Sequence, residues 1–206
     1  IVCRVDRKPS TTPGSMNSAM NIVRLVDEFP AAGEVQLGLG PTFYHLSKEQ
    51  AKLGLGVHVI CKRFHGQGAA DLFDSVHVHR VEPPYNFWAL AELRKLSRQT
   101  GVGLVHSHAT SCPSYAVFKN FCDHVPHVAH VHGTSRGVVA ACREFLPDLR
   151  GSVGEALLRS VSILRESVVW GKADVVIAVS SSVSGELVGL YGLERDKIRV
   201  AGNGVD

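Results

Sequence analysis

The stretch "KADVVIAVSSSVSGELVGLYGLERDKIRVAGNGVD", residues 172–206, decides the architecture. "ADVVIAVS" is a short, nearly continuous Val/Ile run, the composition of a strand buried on both faces. "SSVSGELVGLYG" follows as a helix, and residues 197–201 form a second strand. Gly202-Asn203-Gly204 then reads as a turn. A strand leading into a turn creates the expectation that more structure follows.

Outward from this unit the same alternation repeats. "MNIVRLV" (20–26), "VHVIC" (57–61), "SVHVHRV" (75–81), "GLVHSHA" (103–109) and "HVAHVHG" (127–133) read as strands. Between them lie helices at 41–54, 86–101, 113–122 and 153–170, the first opening on Pro41, a favoured first-turn residue. The helix at 86–101 is expected to bury Phe87, Leu90, Ala91, Leu93 and Leu96. That at 153–170 is expected to bury Val153, Leu157, Val161, Leu164 and Val168. Strands alternating with helices predict an α/β fold: a doubly wound, Rossmann-like parallel sheet covered on both faces. Residues 1–19, with "KPSTTPGS", read as a flexible extension, and 66–74 and 135–152 as loops.

Composition excludes several classes. Hydrophobic residues make up 45% and charged residues 20%, which is ordinary for a packed domain. A net charge of +3 is too mild and too evenly spread to indicate nucleic-acid binding. The apolar runs are strand-length rather than membrane-spanning. Arg4, Asp6, Arg7 and Lys8 occupy the place of a secretory signal's apolar segment. Five cysteines without a C-x-x-C pair read as scattered thiols of a reducing, cytoplasmic compartment.

In such sheets ligands bind beyond the carboxyl ends of the strands. "GLGPTF" places Gly38 and Gly40 before a helix N-terminus, where backbone N–H groups and the helix dipole favour an anion. The same glycines are equally the composition of a plain surface turn. A dinucleotide fingerprint is excluded by Phe43 at its third glycine, by Lys62 at its acidic position, and by about ten residues between the first strand and Gly38. No G-K-[ST] follows, so this is not a Walker loop either.

Eleven histidines include the pairs His77/His79, His106/His108 and His130/His132. Two residues apart on a strand share a face, a spacing that suits zinc, but no H-x-x-x-H or C-x-x-C supplies a third ligand, and no metal is expected. His77 and His79 read as structural. His106, His108 and His132 stand at the functional edge, His132 directly before Gly133 and Thr134. Arg136, Arg143, Arg150, Arg159 and Arg165, with Leu158, Ile163 and Val169, suggest a membrane-surface or partner face on or near the 153–170 helix. Glu155 and Glu166 dilute its basic character, and a solvated face is the plainer reading.

"GLGPTFYHLSKEQAKLGLGVHVI" (38–60), "GLVHSHAT" (103–110), "HVAHVHGT" (127–134) and the 172–206 stretch resemble, in order and spacing, the N-terminal half of glycosyltransferase family 4. The resemblance runs over residues 20–206 and is most specific in "ADVVIAVS", "KIRV" and "NGVD". It implies the two-domain glycosyltransferase B fold, with residues 20–202 as the acceptor-side domain and 203–206 as the start of an interdomain linker. The second, donor-binding domain is then the chain's missing partner, and the isolated chain is expected to be inactive.

The resemblance also implies a retaining hexosyltransferase that uses a nucleotide-diphosphate sugar as donor and needs no metal or other cofactor. On this basis His132 would contact the transferred sugar. Gly38 and Gly40 would lie near the diphosphate, and His108, Gly133, Thr134, Arg136, Ser180 and Asn203 would line the cleft. The acceptor is a sugar, lipid or small metabolite, and peripheral contact with the inner face of a membrane accompanies the cytoplasmic reading. A sugar-nucleotide epimerase of the same architecture and a stand-alone, non-catalytic Rossmann-like module remain as alternatives. A phosphoacceptor signalling domain is excluded because "GLVHSHA" carries histidines where an Asp is required.

Overall fold

The computed structural model describes residues 20–30, 39–119, 125–145 and 153–202, with side chains at all of these except 142–145 and 153–157. The expected extension at 1–19, Gly38 and the linker with Asn203 lie outside the described residues. The elements are β1 (Asn21–Leu25), α1 (Gly40–Lys52), β2 (Gly56–Lys62), β3 (Ala70–Phe73), β4 (Val76–Val81), α2 (Tyr85–Thr100) and β5 (Val102–His108). They continue with α3 (Pro113–Phe118), β6 (His127–Val131), α4 (Ser135–Phe145), α5 (Val153–Lys172), β7 (Val175–Ala178), α6 (Ser181–Tyr191) and β8 (Ile198–Val200).

The strands form one sheet in the order β3-β4-β2-β1-β5-β6-β7-β8, parallel except for β3. Alternate residues of each strand serve opposite faces. Val23, Leu25, Ile60 and Val105 pack on Tyr85, Ala89, Leu93 and Leu96 of α2. Ala129, Val131, Val176 and Ala178 continue that face against α3, α5 and α6. The opposite face is covered by α1, where Phe43 meets Val26, Val57, Val59 and Val76. Among the described residues α1 is the one helix packed there. Leu104, Val128, Val175 and Ile177 remain half-buried on it.

Several local expectations are corrected. Residues 70–73, taken as loop, form the edge strand β3, joined to β4 through Asp74 and Ser75 at φ 50 and 62. Two consecutive positive φ values are the geometry of a tight hairpin turn, and "ADLF", exposed and without β-branched residues, gives little sign of a strand. Residues 135–145, also taken as loop, form α4. In α2, Phe87 and Ala91 face solvent while Tyr85 and Ala89 are buried. In α5 the exposed residues include Leu158, Val161 and Leu164, and the core receives Glu166, Val169 and Trp170. A buried carboxylate at the i position of that i, i+3, i+4 stripe hid its phase. Glu166 is satisfied by the Ser135 N–H at 3.1 Å, the Ser135 hydroxyl at 2.7 Å and the Tyr191 hydroxyl.

Trp170 anchors α5. It is fully buried, its ring lies 4.9 Å from that of Tyr191, and its indole N–H donates to the Ala109 carbonyl at 3.2 Å. Trp170→Ala is expected to destabilise the fold by about 3–5 kcal/mol, read as a lowered urea midpoint. A midpoint within error of wild type would show that α5 is held by other contacts.

Candidate functional site

The site is built on the sheet face beside α1, at the carboxyl ends of β1, β5 and β6. In register, Arg24 of β1 stands opposite His106, and His108 of β5 opposite His130. His132 follows β6 directly. Parallel pairing therefore assembles four imidazoles and a guanidinium on one patch. Successive rings lie 4.5 Å apart for His106/His108 and His130/His132, and 4.9 Å for His108/His130. Phe43, in the first turn of α1, packs at 4.3 Å from the His108 ring and 5.9 Å from His132. The start of that helix, with Gly40 buried at its first position, is thus set next to both histidines.

The backbone is constrained where it leaves β5. Ala109 adopts φ 50, a left-handed conformation that costs a non-glycine residue on the order of 1 kcal/mol. Its N–H donates to the His130 carbonyl at 2.8 Å, and its own carbonyl accepts from Trp170. These two bonds hold the turn and aim His108 along the sheet face.

Electrostatically the patch is unusual for a sheet interior. Arg24 is fully buried, and burial lowers its pKa to about 9, so it stays charged at neutral pH. Its Nη2 donates to Gln50 Oε1 and its Nη1 to His108 Nε2 at 3.1 Å. Among the described residues no carboxylate faces it. Burial first, then neighbouring positive charge, pushes His106 and His108 well below the ordinary histidine range and His130 down to about 3. Burial also lowers His132. All four imidazoles are neutral at pH 7.

His106, His108 and His130 present nitrogens within 4.8 Å of one another, the one group among the described residues able to approach a metal triad. Its chemistry argues against a cation. The His106 and His130 rings lie only 9° from parallel. One lone pair of His108 is committed to Arg24, whose charge repels a second cation.

The remaining expected residues fall in two places. Thr134 is buried, donating to Glu186 Oε2 at 2.7 Å and accepting from the Gly137 N–H at 2.8 Å. Arg136 lies over the Tyr191 ring at 5.0 Å and donates to the Leu190 carbonyl, so both side chains are turned onto α6 rather than toward His132. Ser180 caps α6 by accepting from the Val183 N–H at 3.1 Å. Gly133 is exposed beside His132. His79 contacts His58 at 3.1 Å and Glu92 at 3.1 Å, away from this site. Sequence reasoning missed Arg24, His130 and Gln50. The available signals were the charge interrupting the apolar run "NIVRLV" and, for His130, its spacing two residues from His132 on one strand.

Residues 38–206 match the model of Glycosyltransferase Family 4, and the chain belongs to that family. Sucrose-phosphate synthase from Thermosynechococcus elongatus superposes with a TM-score of 0.65 at 13% identity, over 91% of this chain and 49% of that one. A glycosyltransferase from Rickettsia africae gives 0.55 at 14% identity, over 91% and 44%. HepE of Anabaena, solved with UDP and glucose, gives 0.54 at 16%, over 91% and 45%. The chain spans about half the length of each. At these identities the likeness establishes the fold, the Rossmann-like architecture of glycosyltransferase B enzymes. No curated protein matches the sequence. Among the described residues no helix is long and apolar enough to cross a membrane.

Neutral buried histidines make stability depend on pH. Burial lowers His58 and His127 to about 4 and His130 to about 3, against 6.5 for an unperturbed imidazole. The unfolded chain therefore binds more protons, and the stability present above pH 6.5 is lost as pH falls toward 4. Urea titrations at pH 7.5 and 5 are expected to differ on the order of 2 kcal/mol for each such histidine. A flat profile over that window would place these imidazoles in water.

Proposed function

We propose that this chain is the acceptor-side domain of a retaining glycosyltransferase that moves a hexosyl group from a nucleotide-diphosphate sugar to an acceptor hydroxyl. The observation that carries the reading is the placement of His132 and His108 against the first turn of α1, through Phe43, in a chain of this family. The solved HepE complex with UDP and glucose supports a nucleotide-linked donor.

In this reading the His132 imidazole positions the transferred sugar and stabilises charge that develops as the glycosidic bond loosens. The N-terminus of α1, with Gly40 at its first position, lies close to the donor diphosphate, where helix N–H groups favour an anion. Neutralisation of the leaving group falls to basic side chains of the second domain and to helix termini, without a metal ion. Gly133, exposed beside His132, gives ligand access there. The exposed Leu158, Val161 and Leu164 of α5, with Arg159 and Arg165, supply a surface for peripheral membrane contact.

The test is a transfer assay on a form extended past Asp206, screened across nucleotide sugars, with the 206-residue chain alongside. The extended form is expected to turn over and the short one to be inert. In the extended form, His132→Ala is expected to lower kcat on the order of 100-fold while leaving the circular dichroism spectrum unchanged. An unchanged kcat removes His132 from the reaction, and turnover by the short chain overturns the dependence on a second domain.

A further inference from the structure

The hydrogen-bond chain behind His132 has a direction, and that direction assigns its protons. A guanidinium only donates. Arg24 Nη1 lies 3.1 Å from His108 Nε2, so that nitrogen must be an acceptor. A neutral imidazole carries one N–H, which in His108 is then at Nδ1. His108 Nδ1 lies 3.1 Å from His132 Nε2 and donates to it. The single proton of neutral His132 is in turn at Nδ1. That nitrogen is buried and has no hydrogen-bond partner among the described residues.

We infer that Gln50, Arg24 and His108 form a one-way relay that locks His132 as an Nδ1–H donor, so that the site takes an acceptor oxygen of the sugar or phosphoryl group at that nitrogen. Gln50 accepts from Arg24 Nη2 and so holds the guanidinium from its other side. Arg24 and His108 are positioning residues: their effect reaches the ligand through His132. Which nitrogen of a histidine carries the proton is set by the hydrogen bond the other makes, so the lock needs the guanidinium to hold it. Reversing the chain would leave an N–H of His108 facing the guanidinium donors, at the cost of a buried, unsatisfied charge-assisted bond.

Two consequences separate this from a purely structural role for Arg24. His132 can donate to an oxygen that gains negative charge, but its buried Nδ1 carries the proton, offers no in-plane lone pair and cannot act as a general base. Protonating His132 would place two N–H groups face to face at the His108 contact, so the donor form persists through the neutral range.

The inference rests on the proposed function only for the identity of the ligand, and its test reads the tautomer directly. The 206-residue chain, labelled with nitrogen-15 in its imidazoles, is examined by long-range proton–nitrogen correlation at pH 7.5, with the His132 signals assigned by their loss in His132→Ala. Wild type is expected to show His132 protonated at Nδ1 and bare at Nε2. Arg24→Lys, which keeps a donor, should retain this pattern. Arg24→Met, similar in bulk but without a donor, should shift His132 several-fold toward Nε2–H.

A wild-type His132 with its proton at Nε2, or on both nitrogens, overturns the relay. So does an unchanged tautomer in folded Arg24→Met. Should Arg24→Met not fold, the wild-type and Arg24→Lys spectra decide. If the tautomer is as expected but the extended enzyme transfers no sugar, the relay stands and the functional reading fails. If His132→Ala abolishes transfer while His132 proves to be Nε2–H, the reverse holds.

Discussion

A guanidinium lies in the central strand of a parallel sheet, and among the described residues it has no carboxylate to meet it. Burying an unpaired charge is expensive, and such groups are stabilised only where hydrogen bonds satisfy them. Here the acceptors are an amide oxygen from α1 and an imidazole nitrogen from β5, so Arg24 ties the helix covering this face to the strand that carries the site. Position follows from that tie. With Arg24 held between α1 and β5, Phe43 closes over His108 and His132, and the helix start is fixed beside them.

The sheet supplies the rest of the geometry. Parallel pairing sets His108 opposite His130 and brings His132 to the same edge, because residues two apart on a strand share a face. The left-handed turn at Ala109 and the indole of Trp170 fix the exit of β5 from the side opposite Arg24. The imidazoles are thus constrained from both faces of the sheet. Their neutrality is a consequence of burial, and it turns each ring from a charge into a directional donor and acceptor.

A second network lies beside this one and serves a different end. Glu166 of α5 gathers the start of α4 and Tyr191 of α6, while Thr134 caps α4 and reaches Glu186. These contacts join three helices along one side of the site. Thr134 and Arg136 follow His132 closely in the chain, yet their side chains belong to this helix junction. Adjacency in sequence did not translate into side chains turned toward His132, because the chain turns into α4 at Ser135 and carries those side chains with it.

Strand and helix alternation, the parallel sheet and the edge at which His108 and His132 stand were legible in the sequence, because apolar runs and strand-end residues are local signals. So was the family, through motifs spread in order along the chain. The edge strand β3 was not legible, since an exposed strand lacks an apolar pattern and its turn depends on two residues in unusual backbone conformations. The buried stripe of α5 was misread because Glu166, a carboxylate satisfied by distant partners, occupies a core position. Nor could the sequence show that Arg24 reaches His108 and Gln50 across 84 and 26 residues of chain. Which polar group satisfies a buried charge is decided by the packing of separate elements, and only the folded arrangement brings those elements into contact.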